Sequence, residues 1–291
     1  MIIEQAIDNL PTPIFKIKKS DEPSSKNYNL PALFFSCLIV GAKNSGKSYA
    51  MTSLLKMFEQ NPIYDINGNK LEQRIILFSP TALQSSNIFL KNLKNLNEED
   101  IYLEYSDEKL EEILEEIKDH IKEVEEYEKI KKVLDKYNKT KEKLTDEEYY
   151  IIYNHQYIQP IEEKRHIITH ICFDDLIGDK NTFKKSRDSG LVKFLLKHRH
   201  LYTNIFITSQ YINAIPPVIK NNIDIFCLFK YQNIKDVMNK FYPVVSGIMK
   251  EEEFKELYDN STKEKFNFLT LMTQKGKTII RKNWNVNIII K

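Results

Sequence analysis

The chain has 291 residues, a net charge of +2 and a hydrophobic fraction of 42%, values that exclude an intrinsically disordered chain. Its longest apolar run, LFFSCLIV at residues 33–40, is too short to cross a bilayer, so we expect no membrane-spanning segment and an intracellular, soluble protein. The three cysteines lie far apart in apolar runs, which predicts small buried side chains rather than disulfides or a metal site: Cys37, Cys172 and Cys227.

The first strand predicted along the chain, Phe34–Val40, leads into a glycine motif. The stretch GAKNSGKS, residues 41–48, satisfies G-x-x-x-x-G-K-[ST], and a helical pattern follows it, as a phosphate loop requires. In such a loop, backbone N–H groups surround the β-phosphate, Lys47 contacts the β- and γ-phosphates, and Ser48 binds Mg²⁺. We predict ATP and Mg²⁺ as cofactors. The predicted ATP-binding residues are Gly41, Ala42, Lys43, Asn44, Ser45, Gly46, Lys47 and Ser48.

A charged helical region follows the second predicted strand, Ile75–Phe78. Apolar residues step by four and three between residues 110 and 124, which predicts a long helix with one apolar face, capped by Ser106. Thr145 and Glu148 can form a capping box at the start of a second helix. We therefore predict an inserted helical hairpin at about residues 106–165.

The inserted hairpin also separates charge along the chain. Between Asp107 and Glu148 there are 16 acids and 10 bases, a net charge of −6, which leaves +8 on the rest of the chain. A solvated helical face and a surface for a protein partner are both open interpretations of this acidic arm, and its charge argues against DNA contact there.

A pair of acids closes the next predicted strand, His166–Phe173. The run HIITHICFDD ends in Asp174 and Asp175, and a phosphate loop that hydrolyses nucleotide needs an acid at such a strand end. We predict that Asp174 binds Mg²⁺ and that Asp175 activates the attacking water. Glu is the commoner residue at the second position.

The predicted strand Asn204–Thr208 is preceded by Arg199 and followed by Gln210. Gln210 lies at the strand end that faces the nucleotide in parallel sheets, so its amide can bond the catalytic water or the γ-phosphate; local loop bonding is the alternative. Arg199 lies at the opposite edge, where in a ring it would reach a neighbour's phosphates in trans; a surface or structural role is the alternative. The predicted catalytic residues are Lys47, Asp175, Arg199 and Gln210.

The remaining pattern completes a fold class. A further strand is predicted at Asp224–Phe229, followed by two helical stretches and a hairpin with its turn near Lys275–Gly276. Apolar strands that alternate with helices predict an α/β fold with a mainly parallel sheet flanked by helices. The inserted helical hairpin and a C-terminal β-hairpin are additions to it.

The order of these motifs resembles that of the FtsK–HerA superfamily of ring-forming DNA translocases. The segment RHLYTNIFITSQYINAIPPVIKNNIDIFCLF, residues 199–229, is similar to the genome-packaging ATPases of large eukaryotic DNA viruses, the poxvirus and giant-virus branch. The resemblance implies a RecA-like ATPase domain at residues 33–291, preceded by an N-terminal extension at residues 1–32. Lys220 departs from the pattern, because members often have Arg there.

The resemblance also implies a function. It implies an ATP-hydrolysing ring motor that translocates double-stranded viral DNA, without sequence preference, into a preformed capsid. The implied partners are double-stranded DNA, other copies in a homo-oligomeric ring and capsid vertex proteins, in the host-cell cytoplasm at the viral factory or in the virion. Basic residues in the polar loop after the acids are candidate DNA contacts in the pore, unless the loop is only solvated: Lys180, Lys184, Lys185 and Arg187.

Other functions remain open on the same residues. One alternative is another FtsK–HerA-type translocase, acting in plasmid transfer or recombination; a second is a nucleotide-gated assembly factor without translocation. A small-molecule kinase is less well supported, because no arginine-rich lid follows the motif. A GTPase is disfavoured because the N-K-x-D sequence that reads guanine is missing; NKLE at residues 69–72 ends in the wrong acid.

Overall fold

The elements of the fold follow the predicted alternation of strands and helices. A computed structural model of the protein describes residues 22–27, 29–83, 93–140, 144–155, 163–176, 189–274 and 276–289. The strands are β1 (Ser24–Ser25), β2 (Ser36–Val40), β3 (Ile63–Tyr64), β4 (Glu72–Phe78), β5 (Leu96–Tyr102), β6 (Ile167–Phe173), β7 (Thr203–Ser209), β8 (Ile225–Phe229), β9 (Phe268–Gln274), β10 (Lys277–Lys282) and β11 (Val286–Ile288). The α-helices are α1 (Lys47–Gln60), α2 (Asp107–Thr140), α3 (Asp146–His155), α4 (Gly190–Lys197), α5 (Pro217–Lys220), α6 (Ile234–Val245) and α7 (Glu251–Ser261).

One large sheet organises these elements. Within the described residues it has nine strands in the order β11-β10-β9-β8-β2-β7-β6-β4-β5. The strands from β8 to β5 in this order run parallel, and β9, β10 and β11 add to the β8 edge as antiparallel strands. β2 therefore lies in the middle of the sheet, between β8 and β7.

Helices cover both faces of the sheet, which explains its continuous apolar strands. Every residue of β2, β7 and β8 is buried. Leu38 and Val40 of β2 join a core with α2, α4, α6 and α7, whereas Cys37 and Ile39 point to the opposite face and join a core with α1. The predicted fold class is confirmed.

The inserted region forms the predicted helical hairpin. Ser106 accepts a hydrogen bond from the backbone N–H of Lys109 at 3.0 Å, and the capping box of Thr145 and Glu148 has both of its bonds, at 2.9 and 3.3 Å. α2 has 34 residues, a length of about 50 Å, and only its first turns pack on the sheet core. Leu110, Ile113, Leu114 and Ile117 make that contact. The C-terminal part of α2 pairs with α3, where Lys136 forms an ion pair with Glu148 at 2.8 Å.

The C-terminal β-hairpin packs against the helix that follows the phosphate loop. β9 and β10 pair from Gln274 opposite Lys277, and Gly276 in the turn has φ of 71°. After β10, the buried Trp284 donates its indole N–H to the carbonyl oxygen of Ala50 in α1 at 3.0 Å. The antiparallel end of the sheet is thereby fixed to α1.

The strands differ from the sequence-based expectation in several places, of which two have a clear physical reason. The strand predicted to begin at Phe34 begins at Ser36, because Phe34 has φ of 63°, outside the extended region. β5 was not predicted, because its sequence LNEEDIY is acidic and lies at the sheet edge. The three cysteines are buried, as expected. Among the described helices, none is both long and apolar enough for a membrane crossing.

Candidate active site

The phosphate loop, residues 41–46, joins the carboxyl end of β2 to the first turn of α1. Gly46 has φ of 102°, in the left-handed region that favours glycine. At Gly41, a Cβ atom would lie 2.5 Å from Oγ of Ser45 and 2.6 Å from Cβ of Phe229, so no larger residue fits. The path of the backbone therefore requires both glycines of the motif.

The loop also has the properties of an anion site. Within the described residues, no side chain caps the N-terminus of α1, so the N–H groups of its first turn are available to a ligand at the positive end of the helix dipole. The Ser45 hydroxyl is buried and has no hydrogen-bond partner in the part of the chain that the structure describes. A polar group without a partner beside a helix N-terminus fits a phosphate oxygen, and these residues fit the triphosphate of ATP.

Lys47 lies inside this loop rather than in solvent. Its side chain is buried, and Nζ donates a hydrogen bond to the carbonyl oxygen of Ala42 at 3.0 Å. Burial lowers the pKa of Lys47, while the nearby carboxylates of Asp175 and Asp174 act to raise it. The ammonium thus lies between the loop and two acids, and it has further N–H donors for phosphate oxygens.

Asp174 ends β6 and meets the loop from the other side. Its carboxylate is buried; it accepts hydrogen bonds from the Ser48 hydroxyl at 3.1 Å on Oδ1 and 3.0 Å on Oδ2, and from the Thr208 hydroxyl at 2.8 Å. Burial raises the pKa of Asp174, and the bonds from Thr208 and Ser48 act to lower it. A carboxylate and a hydroxyl in contact are the oxygen ligands that suit Mg²⁺, so Ser48 and Asp174 are the residues that would hold it.

The second acid is positioned by its neighbours in sequence and in space. Asp175 has φ of 54°, and its backbone N–H donates to the Thr208 hydroxyl at 2.9 Å. Its Oδ1 accepts a hydrogen bond from the Gln210 side-chain amide. Two of the predicted catalytic side chains, Asp175 and Gln210, are therefore in direct contact.

Thr208 was missed by the sequence interpretation. It is fully buried in β7, which lies between the loop strand β2 and the acid-bearing β6. One hydroxyl donates to Asp174 and accepts from the backbone of Asp175, so it fixes both acids at once. The available signal was a hydroxyl residue in an apolar strand, two positions before Gln210.

Arg199 lies at the other end of the sheet, as predicted. It belongs to a short 3-10 helix, His198–Leu201, that precedes β7, and Nη2 forms an ion pair of 2.8 Å with Oδ1 of Asp224, just before β8. The Arg199 side chain is 63% exposed. The adjacent His198 is buried, and its ring contacts the backbone carbonyl oxygens of Leu195 and Phe34.

The structure therefore brings one group of predicted residues together and keeps another residue apart. The group at the carboxyl ends of the parallel strands is Lys47, Ser48, Asp174, Asp175 and Gln210. Lys43 lies in the same loop with an exposed side chain. The candidate DNA contacts lie outside the described residues: Lys180, Lys184, Lys185 and Arg187.

The fold and the loop geometry define the class, a RecA-like P-loop fold. No protein-family model matches the chain, and no curated protein matches its sequence. Solved structures with a similar fold include the genome packaging NTPase B204 from Sulfolobus turreted icosahedral virus 2 in complex with AMP, at 12% identity and a TM-score of 0.45, over 86% of this chain and 96% of that one.

Two further solved structures are similar at the same level. They are EssC (ATPases 2 and 3) from Geobacillus thermodenitrificans, at 16% identity and a TM-score of 0.41 over 71% of this chain and 34% of that one, and the pCW3 conjugation coupling protein TcpA with ATPγS. TcpA has 15% identity and a TM-score of 0.40 over 91% of this chain and 66% of that one. At identities and TM-scores this low, the activities and partners of those proteins do not transfer to this chain.

Proposed function

We propose that the protein is an ATP-hydrolysing ring motor of the FtsK–HerA superfamily that translocates double-stranded viral DNA into a preformed capsid. The observation that carries the ATPase part is the contact of the Ser48 hydroxyl with both carboxylate oxygens of Asp174, beside the buried ammonium of Lys47. A phosphate-binding loop, a metal-binding hydroxyl and a strand-end acid meet there, as ATP hydrolysis requires.

Each residue of this group has a task in hydrolysis. The loop N–H groups and Lys47 bind and orient the β- and γ-phosphates. Ser48 and Asp174 would hold Mg²⁺, which would supply positive charge to the phosphate oxygens. Asp175 accepts a proton as water attacks the γ-phosphorus and the bond to the leaving ADP oxygen breaks. Gln210, bonded to Asp175, is in position to orient that water and to respond when the γ-phosphate leaves.

Arg199 supplies the reason to propose a ring. Its guanidinium is exposed at the amino end of the strands, and an exposed ion pair of this kind contributes little to stability, so Asp224 holds it only weakly. In a ring, that edge of one subunit faces the phosphate loop of the next. Arg199 would then offset the transition-state charge in the neighbour's site.

The DNA and capsid parts of the proposal rest on the resemblance of residues 199–229 and on charge. The +8 outside the acidic arm suits contacts to DNA phosphates, which accept any sequence. In this function Lys180, Lys184, Lys185 and Arg187 would contact the DNA phosphates, and the protein would act in the host-cell cytoplasm, at the viral factory or in the virion. A double jelly-roll capsid gene beside the gene for this chain would support the capsid part, and plasmid-transfer genes there would contradict it.

The ATPase part is tested by measuring ATP turnover by the purified full chain with and without linear double-stranded DNA of unrelated sequences. We expect Mg²⁺-dependent turnover that every such DNA stimulates and that the Lys47→Ala variant lacks. Turnover that is indifferent to DNA would favour the nucleotide-gated assembly factor. Equal turnover in wild type and Lys47→Ala would contradict the assignment of this active site.

A further inference from the structure

An exposed aromatic side chain lies beside the phosphate loop, and no step of hydrolysis uses it. Phe266 is 55% exposed, and it is the one exposed phenylalanine among those that the structure describes. A Cβ atom on Gly46 would lie 3.2 Å from Cδ1 of Phe266 and 3.5 Å from Cε1 of Phe229. The Phe266 ring is thus in contact distance of the loop glycine that precedes Lys47.

The local backbone presents this ring at a conformational cost. The N–H of Asn267 bonds the carbonyl oxygen of Glu264 at 3.2 Å, and Phe266 is the third residue of that turn, with φ of 70°. A positive φ there is favourable for Gly or Asn and strained for Phe. Glycine or asparagine would relieve the strain, so the aromatic ring at this position calls for an explanation other than the turn itself.

Asparagine side chains hold the turn in place. The Asn283 side-chain amide donates to Oδ1 of Asn267 at 3.0 Å, and Oδ1 of Asn283 accepts from the N–H of Phe268 at 3.0 Å. The Asn267 amide in turn donates to Glu264 at 2.6 Å. Phe266 is therefore carried on a bonded turn next to β9, and not on an isolated loop tip.

The sheet order shows which part of a nucleotide this ring would meet. β7 and β6, with the acids of the reaction, lie on one side of the loop strand β2, while β8 and β9 lie on the other. The γ-phosphate must lie on the side of Asp174, so the far end of the nucleotide extends toward β8 and β9. Phe229 ends β8 and Phe266 precedes β9, both on that second side.

We propose that Phe266 is the platform on which the base of the bound nucleotide stacks. The inference rests on the proposed binding of ATP by the phosphate loop. The Lys265 ammonium lies 4.8 Å from the Phe266 ring centroid, but an exposed cation–π contact is weaker than base–aromatic stacking, so a base can displace it. Every base has a π-face, so the platform increases affinity for ATP and GTP alike and does not select between them.

The test separates the base from the phosphates. Affinities of the full chain for ATP, GTP and inorganic tripolyphosphate, each with Mg²⁺, are measured for wild type, Phe266→Ala and Phe266→Tyr. We expect Phe266→Ala to weaken ATP and GTP binding roughly tenfold, ~1.4 kcal/mol, with tripolyphosphate binding unchanged. Phe266→Tyr keeps the ring and should bind like wild type. Tyr150→Ala, an exposed aromatic of α3 away from the loop, is the control and should change none of the affinities.

Three outcomes would contradict the proposal that the base stacks on Phe266. In the first, Phe266→Ala binds ATP as tightly as wild type, while Lys47→Ala does not bind ATP. This result would contradict the role of Phe266 and leave the proposed ATPase intact. Another is equal weakening of ATP and tripolyphosphate, which would show that Phe266 supports the loop and not the base. The third is normal ATP affinity in Phe266→Gly, a variant that accepts the positive φ without strain and so removes misfolding as an explanation. Lys47→Ala that binds ATP normally would contradict the ATPase proposal itself.

Discussion

The two ends of the parallel strands carry different chemistry. At the carboxyl ends, Lys47 and Asp174 are buried, and Ser48 and Thr208 connect the acid to the loop and to the neighbouring strand. At the amino ends, the side chain of Arg199 is exposed and forms an ion pair with Asp224. One end is a site organised within a single chain, and the other presents a cation outward.

In the proposed ring, this difference corresponds to a division of work between subunits. Buried charges that are hydrogen-bonded are fixed before any ligand arrives, which is what binding and orienting a triphosphate require. Moving an exposed guanidinium away from its ion-pair partner costs little free energy, which suits a group that would bind and release a neighbouring subunit. Substitutions at one end of the strands at a time test this difference.

The largest expected effect is at the carboxyl end. Lys47→Ala should lower ATP turnover by at least about 10³-fold and weaken nucleotide binding, because it removes the cation that contacts the phosphates. The measurement is steady-state turnover together with direct ATP binding. Lys193→Ala, an exposed lysine on α4, is the matched control and should match wild type. Retained turnover in Lys47→Ala would show that the buried end is not the site.

At the amino end, Arg199→Ala should lower turnover by about 10³-fold while each subunit still binds ATP. Mixing Arg199→Ala subunits with Lys47→Ala subunits should restore part of the activity, because the latter still present the arginine to a neighbour's intact loop. No restoration in the mixture would contradict action in trans. The unfolding free energy should change by less than about 1 kcal/mol, since the pair with Asp224 is exposed.

A buried, uncharged network supports the amino end. The ring of His170 lies between Oε1 of Gln73 and the side-chain amide of Asn204, whose Oδ1 accepts the N–H groups of Phe34 and Phe35. Burial lowers the pKa of His170 from its ordinary value of 6.5 to about 3. Asn204 donates to Nδ1, so the neutral ring carries its proton on Nε2, toward Gln73.

This network predicts acid sensitivity. Between about pH 6.5 and pH 3 the unfolded chain binds a proton at His170 that the folded chain does not, so stability falls as pH falls. The loss should be about 2 kcal/mol at about pH 5 relative to about pH 7. Urea unfolding of His170→Gln at both values should show a smaller loss, with exposed His200→Gln as control. An unchanged pH dependence in His170→Gln would contradict the assignment.

The smallest expected effect concerns the alignment of the acids. Thr208→Val keeps the shape of the side chain and removes the hydroxyl that holds Asp174 and Asp175, so turnover should fall about tenfold with little change in KM. Thr208→Ser keeps a hydroxyl and should recover most of the rate. A loss in Thr208→Val that Thr208→Ser does not repair, with lowered stability in both, would indicate a packing role only.

Much of the fold and most of the site follow from patterns within short segments. The glycine spacing, the apolar run ending in two acids and the alternating periodicity are local, and the structure places those elements as expected. β5 escaped prediction because Asp100 is its one buried residue. The buried carboxylate of Asp100 is balanced by Arg74 of β4 at 2.7 Å, a contact that the sequence of β5 cannot show.

The remaining site residues escaped prediction for a related reason. Thr208 and Asp174 are 34 positions apart, and their contact follows from the parallel register of β6 and β7. Phe266 reaches the loop only through the antiparallel addition of β9 to the sheet. Strand neighbours and register, which no local pattern encodes, decide these contacts.

The tryptophan that fixes the C-terminal hairpin gives the protein an optical reporter. Trp284 is the one tryptophan of the chain, and its indole N–H bonds Ala50, three residues after Lys47. Fluorescence excited in the indole band therefore reports on a single location, against the helix that begins at the phosphate loop. Binding of nucleotide to the unlabelled protein can therefore be followed by tryptophan fluorescence. The signal comes from Trp284 alone, whose indole N–H bonds Ala50.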